Sequence, residues 1–265
     1  MNDIKRPLDF QCTIGQHFGA NATSFYSSEG LRGHPGIDES CGYGSDIKAY
    51  ADGIAYSLYT PQKPASDGYT AIFTICETPL EVFELAYGHV SDITVAIGAT
   101  VRKGQVIGKE GNKGVVYSGG QLITLAMQRA GDTRGSHRHG QKRPLKRVKD
   151  YGRYDIPLRT AKGIYRDAEG FAYIHADPNN GYAGCTNFAG DLWTRNLAPF
   201  MSGYDVYLLQ KALVLQGYAD HEPTDYYGTI TMGAVMAFQR EAGLAPVGLF
   251  GPQTRAMLNA VYKTI

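Results

Sequence analysis

The sequence lacks the features that mark several common classes of protein. No apolar run in its 265 residues approaches the ~18 needed to span a bilayer, and the start, "MNDIKRPLDF", has no apolar core of a secretory signal. We therefore expect no membrane insertion and no signal peptide. The formal net charge is only +1, whereas a protein whose main partner is DNA or RNA usually carries more positive charge.

Cysteine is scarce as well. The four cysteines lie far apart and form no C-x-x-C pair, at positions Cys12, Cys41, Cys76 and Cys185. This spacing argues against a zinc knuckle, and the low density argues against a disulfide framework. We therefore expect free thiols, most of them buried.

Glycine and tyrosine are abundant, with 33 and 19 residues. Up to about residue 150, short apolar and aromatic runs alternate with glycine, which is typical of a turn-rich β protein. "DIKAYADGIAYSLY" predicts a strand, a turn at Asp52-Gly53 and a second strand, and "YTAIFTIC" predicts another. We predict that residues 1–150 form an all-β domain.

The pattern changes in the last third of the chain. Residues 151–199 form a connector of unknown role, with a β-hairpin predicted to turn at 168–170. From residue 200 to 265, apolar residues recur at intervals of three and four in three segments, two of them followed by Gly217 and Gly243, and the third preceded by Gly251. This periodicity predicts a small all-α domain of three helices.

Two groups of residues could hold a metal ion. In "GHPGID", a turn separates His34 from Asp38, and an imidazole and a carboxylate can bind one ion across such a bend. In "GSHRH", His137 and His139 project from the same face of a strand, ~6.5 Å apart, while Arg138 points the other way. An alternative is that residues 134–149 form a solvated basic loop, which would suit a nucleic-acid binder.

Together these segments resemble the lysostaphin-like zinc endopeptidases of peptidoglycan, peptidase family M23. "GHPGID", "GYGSDIKAYADG", "AYGHV", "GATVRKGQVIGKEGNKG" and "GSHRH" match the family's motifs in order over residues 14–145. The chain departs from the family in having Arg138 for a leucine, Gly140 for an aromatic residue, and an insertion, "QLITLAMQRAGDTR", before the last motif.

The resemblance implies an antiparallel β-sheet catalytic domain that binds Zn²⁺. It implies that His34, Asp38 and His139 are the metal ligands, and that His137 and His89 are catalytic, with His137 as general base and His89 orienting it or stabilising the oxyanion. Which of the two histidines is the base stays open. Tyr117 is a further candidate near the site.

The C-terminal region resembles the three-helix peptidoglycan-binding domain of the PGBD-1 type, through "DVYLLQKALVLQGY", "GTITMGAVMAFQREAGL" and "GLFGPQTRAML". The two resemblances imply a zinc endopeptidase whose partner is bacterial peptidoglycan. We expect a monomer, and the near-neutral charge argues against a nucleic-acid partner. We expect a phage lysin that acts on the cell wall, either an endolysin released at host lysis or a virion-associated enzyme. The alternative is a catalytically inactive M23-like protein that binds the wall or activates another hydrolase.

Overall fold

The computed structural model describes residues 12–21, 25–28, 31–147, 171–173 and 191–262. The chain divides into two compact units, one that contains the strands and one that contains the three C-terminal helices. Within the described residues, no helix is both long enough and apolar enough to cross a membrane.

The elements of the first unit are short. They are β1 (Thr13–Gln16), α1 (Phe25–Ser28), β2 (Ile37–Ser40), β3 (Asp46–Lys48), β4 (Gly53–Tyr59), β5 (Ala71–Glu77), β6 (Val82–Gly88), β7 (Asp92–Ile93), β8 (Thr100–Val101), β9 (Val106–Lys109), β10 (Val116–Ser118), β11 (Gln121–Ile123), α2 (Leu125–Arg129), β12 (Arg138–Arg147) and β13 (Phe171–Tyr173).

An antiparallel sheet with the strand order β1-β2-β12-β6-β5-β4-β8 forms the body of this unit. Strand alternation separates its two faces. Ile72, Leu85 and Tyr87 are fully buried on one face, where the Tyr87 ring stacks on Tyr50 at 4.9 Å. The opposite face carries Ala71, Phe73 and Ala86, with the rings of Tyr56, Tyr59 and Tyr69 packed against them. The predicted antiparallel β domain is therefore confirmed.

The two strands predicted in "DIKAYADGIAYSLY" are present, but they do not pair with each other. β3 pairs with β9 in a separate three-stranded sheet, and β4 pairs with β5 and β8 in the main sheet. The predicted strand "YTAIFTIC" corresponds to β5.

The insertion before the last motif has its own structure. Its first residues form β11, which pairs in a hairpin with the preceding strand β10. Helix α2 follows, with the hydroxyl of Thr124 accepting a hydrogen bond from the backbone N–H of Met127. The all-β domain expected from the sequence thus also contains two short helices, α1 and α2.

The expectation of free thiols is wrong for two of the cysteines. Cys12 and Cys41 form a disulfide, because β1 pairs antiparallel with β2 and sets Thr13 opposite Ser40, next to the two sulfurs. Cys76 is a buried free thiol, as expected. Cys185 lies outside the described residues.

Strand β13 pairs with the end of β12. The predicted hairpin turn at 168–170 lies outside the described residues, so the hairpin, like the boundaries 151–199, stays a prediction.

The second unit contains three helices, α3 (Tyr204–Leu215), α4 (Thr229–Glu241) and α5 (Pro252–Val261). They confirm the predicted helical region. α3 and α4 are followed by Gly217 and Gly243, whose φ angles of 81° and 71° suit glycine at a helix end. Their core includes residues that precede residue 200, since Trp193 and Leu197 are buried in it.

Candidate metal centre

Two neighbouring strands bring the first group of predicted residues together. β2 and β12 run antiparallel, and their register sets His139 directly opposite Asp38. His34 lies at the turn before β2, and the strands approach so closely that a Cβ at Gly36 would meet the ring of His139 at 2.9 Å. The glycine of "HPGID" therefore makes room for the histidine of the last motif.

The polar atoms of these three side chains converge on one point. Nε2 of His34 lies 2.9 Å from Nδ1 of His139 and 3.1 Å from Oδ1 of Asp38, and that oxygen lies 2.7 Å from Nδ1 of His139. Within the described part of the chain, this is the group of histidine and carboxylate side chains whose geometry could hold a metal ion.

The other ring nitrogen of His34 fixes the orientation of its imidazole. Nδ1 lies 3.2 Å from the carbonyl oxygen of His17, so it carries the proton and Nε2 presents a lone pair to the centre. This arrangement, a ring N–H held by a backbone carbonyl, is common for histidines that bind metals.

Charge distribution at the centre favours a cation. Burial acts to raise the pKa of Asp38, but the adjacent imidazoles of His139 and His34 outweigh it and hold that pKa well below its ordinary value. Burial also lowers the pKa of His139, which favours the neutral ring that a metal requires. A carboxylate and two imidazoles are an ordinary donor set for zinc.

His137 and His89 lie beside this centre. Nδ1 of His137 is 2.8 Å from the carbonyl oxygen of Gly135, and its Nε2 lies 3.7 Å from Oδ1 of Asp38. The ring of His89 is 4.4 Å from the ring of His137. The structure thus brings all five predicted residues together, three in the metal-compatible group and two next to it.

His89 is held in an uncommon backbone conformation. It follows β6 with a φ of 59°, a region that residues other than glycine seldom adopt. A hydrogen bond of 2.7 Å between Nδ1 and the carbonyl oxygen of Lys113 fixes the ring, and the ring of Tyr69 packs edge-on at 5.1 Å. Burial and the nearby rings of His137 and His139 lower the pKa of His89. The imidazole is therefore neutral and fixed in direction.

A tyrosine near the centre was missed by the sequence analysis. The ring of Tyr26, in α1, lies 5.5 Å from the ring of His34, and burial together with the Asp38 carboxylate raises the pKa of its phenol. The segment "SFYSSEG" has no motif that would place Tyr26 near the centre. Tyr117, the tyrosine considered from the sequence, is 51% exposed, and its ring contacts Phe25 at 6.3 Å.

Arg138 lies on the face opposite to the two histidines that flank it, as strand alternation predicts. Its guanidinium is buried, and Nε donates to Oε2 of Glu39 at 3.2 Å. Nη2 lies 3.0 Å and 3.1 Å from the sulfurs of Cys12 and Cys41. The arginine that replaces the family's leucine is thus accommodated by a buried carboxylate and the disulfide.

The insertion is anchored to the loop that follows β9. The side-chain amide of Asn112 donates to the carbonyl oxygens of Asp132 and Arg134, at the end of the insertion. The amide of Gln128, in α2, donates to the carbonyl oxygen of Gly114. The insertion therefore leads directly into the segment that carries His137, and it leaves "SHRH" in place at the centre.

Comparison with known families agrees with this architecture. Residues 32–134 match the model of Peptidase family M23, and residues 202–258 match PG_binding_1, the model of a peptidoglycan binding domain. The chain thus contains one region that matches the M23 peptidase model and one that matches the peptidoglycan-binding model, and both resemblances drawn from the sequence are confirmed. These matches support a cell-wall peptidase. The M23 match includes His34, Asp38 and His89 but ends before His137 and His139.

Solved structures of M23 peptidases are similar to part of the chain. The catalytic domain of lysostaphin from Staphylococcus simulans is 21% identical over 50% of this chain and 80% of its own, with a TM-score of 0.36. A prophage-encoded M23 protein from Enterococcus faecalis is 19% identical over 52% and 84%, with a TM-score of 0.35, and LytU is 22% identical over 49% and 72%, also at 0.35. No curated protein matches the chain.

Proposed function

We propose that this protein is a zinc-dependent endopeptidase that hydrolyses peptide bonds of bacterial peptidoglycan. The observation that carries the proposal is the convergence of His34, Asp38 and His139 beside His137 and His89. The two histidines of "SHRH" lie beyond the range matched to the M23 family; the pairing of β12 with β2 nevertheless sets His139 opposite Asp38, and Nε2 of His137 lies 3.7 Å from the same carboxylate.

His34, Asp38 and His139 would hold the metal. Three protein ligands are typical of a catalytic zinc site, which keeps a position open, whereas structural sites use four. When bound, Zn²⁺ would supply Lewis acidity, lowering the pKa of a water molecule and polarising the scissile carbonyl.

His137 is our candidate for the general base. Its Nδ1 is turned towards the carbonyl oxygen of Gly135, so Nε2 is the nitrogen available to take a proton from the attacking water. The Nδ1 of His89 is likewise held by a backbone carbonyl, and its ring lies 4.4 Å from that of His137. His89 would orient the base or, once protonated, donate to the developing oxyanion.

The helical unit would bind the wall. Tethering a hydrolase to its substrate raises the local concentration of substrate without changing the chemistry. The expected setting as a phage lysin stays a prediction, as does the monomeric state.

Metal content and hydrolysis, measured on the same preparations, test the catalytic assignment. We expect about one zinc per chain, lost in His34→Ala, Asp38→Ala and His139→Ala. His137→Ala should keep the zinc and lose roughly a hundredfold or more of turnover, the contribution typical of a general acid-base group. His221→Ala, a histidine of the helical unit, is the control and should change neither on a soluble peptide substrate.

The outcomes separate the alternatives. Zinc lost together with activity in His137→Ala would show that the roles of the two histidines of "SHRH" are exchanged. A wild-type protein that binds zinc and wall but hydrolyses no peptidoglycan would support the alternative of an inactive wall-binding or hydrolase-activating protein.

Wall binding is tested with the inactive His137→Ala chain, which leaves the substrate intact. This chain should sediment with purified peptidoglycan, and the same chain ending at residue 190 should not. The cut precedes Trp193 because that side chain belongs to the helical core. Equal sedimentation of both forms would assign binding to the first unit and leave the helices as a spacer.

A further inference from the structure

A buried carboxylate lies behind the metal centre, outside every group discussed so far. Glu110 follows β9 and is completely inaccessible to solvent. Its Oε2 accepts the backbone N–H of Cys41 at 2.9 Å, and its Oε1 accepts the backbone N–H of Gly42 at 3.2 Å and the hydroxyl of Ser136 at 2.9 Å. The hydroxyl of Ser40 lies 3.2 Å from the same oxygen. These four partners, two backbone N–H groups and two hydroxyls, carry no charge.

These partners belong to the two segments that carry the functional side chains. Ser40 ends β2, two residues after Asp38, and Ser136 immediately precedes His137. Ser40 also reaches the second segment directly, since its hydroxyl lies 3.1 Å from the carbonyl oxygen of Ser136. The carboxylate of Glu110 therefore connects the strand that presents Asp38 to the segment that presents His137.

The residue after Glu110 continues the same connection. The carbonyl oxygen of Gly111 accepts the backbone N–H of His137 at 3.0 Å, so residues 110 and 111 hold residues 136 and 137 in succession. Gly111 also packs against the end of the His89 segment, where a Cβ would lie 2.7 Å from the carbonyl oxygen of His89. One short loop thus contacts the segments that carry His137 and His89, the two histidines that do not belong to the metal-compatible group.

We propose that Glu110 is a positioning residue for hydrolysis, which fixes His137 relative to Asp38 through its hydrogen bonds to Ser136 and to the end of β2. The proposal rests on the proposed function for its catalytic consequence. Burying a charged group without a cation is costly unless its oxygens are fully hydrogen-bonded, and here both oxygens accept backbone N–H groups. The chain accepts that cost between the end of β2 and the segment that precedes β12.

Glu110→Gln is the sharpest perturbation, because the amide preserves shape but cannot preserve the hydrogen bonds. An ionised carboxylate accepts at both oxygens, whereas an amide accepts at one and donates at the other. If the amide nitrogen takes the place of Oε2, it faces the N–H of Cys41. If it takes the place of Oε1, it faces the N–H of Gly42. Neither orientation satisfies both backbone groups, so the segment must shift.

The experiment compares Glu110→Gln, Ser136→Ala and Ser136→Thr with Ile107→Val, a control that trims a buried side chain of β9 without touching these hydrogen bonds. We expect Glu110→Gln and Ser136→Ala to lower kcat on a soluble peptide substrate by roughly tenfold to a hundredfold, the range that small misplacements of a reacting group produce. KM and zinc content should stay close to wild type, and Ser136→Thr, which keeps the hydroxyl, should restore most of kcat.

A second measurement is independent of turnover. Long-range ¹H–¹⁵N correlation spectra of the imidazole should show shifted His137 ring signals in Glu110→Gln and Ser136→Ala, and unshifted ones in Ile107→Val and Ser136→Thr. If the wild type hydrolyses no substrate, the proposed function fails and these signals alone decide the positioning role. If Glu110→Gln does not fold, the two Ser136 variants decide it.

The proposal is overturned if kcat in Glu110→Gln falls no further than in Ile107→Val, or if the His137 ring signals are the same in all variants. Loss of zinc in step with kcat would also overturn it, because Glu110 would then support the metal ligands and not His137.

Discussion

Disrupting the buried pair of Arg138 and Glu39 is expected to destabilise the first unit. The two side chains are 2% and 3% exposed, and Nε of the arginine lies 3.2 Å from the carboxylate. Arg138→Met removes the cation, fills much of the same space, and leaves the carboxylate buried. Removing one partner of a buried ion pair costs about 3–5 kcal/mol. For a domain of this size, that corresponds to a fall in Tm of roughly 6–20 °C.

A double-mutant cycle isolates the interaction energy between the two side chains. In Arg138→Met/Glu39→Gln, the glutamine oxygen can still accept the hydroxyl of Tyr50, which lies 3.1 Å from Glu39. The glutamine carries no charge, so the buried carboxylate is removed together with the arginine. We expect the double variant to regain most of the lost stability, with a coupling energy of about 2–3 kcal/mol between the two positions.

Urea denaturation followed by circular dichroism measures each corner of this cycle. The control is Arg102→Met, because the Arg102–Asp52 pair has a similar distance of 3.1 Å but is exposed to solvent, so its loss should leave stability nearly unchanged. If Arg138→Met loses as little stability as the control, the reasoning is refuted. A double variant that is less stable than the single one would also refute it, since the buried charge of Glu39 would then not be the source of the cost.

Three further predictions follow from single contacts. Cys12→Ser should destabilise the folded chain by about 3–4 kcal/mol in the chain-entropy description, because the disulfide spans 29 residues. Thermal denaturation with and without dithiothreitol checks this, and a wild-type Tm that dithiothreitol does not change would contradict it. Burial raises the pKa of the Cys76 thiol to about 12, so peptide mapping after iodoacetamide treatment of the native protein at pH 8 should find this cysteine unmodified, and modified only after denaturation. Gly36→Ala should lower zinc content because its Cβ would collide with the carbonyl oxygen of Gly140 and the ring of His139, whereas Gly233→Ala, with open space around it, should not.

Much of the architecture follows from local sequence patterns. Helices α3 to α5 lie where apolar residues recur at intervals of three and four, and the glycines after α3 and α4 adopt the left-handed backbone that ends a helix. Strand alternation was sufficient to predict that His137 and His139 share a face while Arg138 lies on the other. These features depend on a few consecutive residues, so their geometry is contained in the sequence that forms them.

Other features depend on which strands become neighbours, and spacing along the chain does not encode that. Cys12 and Cys41 were expected to be free thiols, and only the pairing of β1 with β2 brings their sulfurs together. Arg138 was recognised as a departure from the family, but its partner Glu39 lies 99 residues away and meets it through the pairing of β12 with β2. Glu110 carried no sequence signal at all, because its role depends on donors from two segments that only the folded sheet places around one carboxylate.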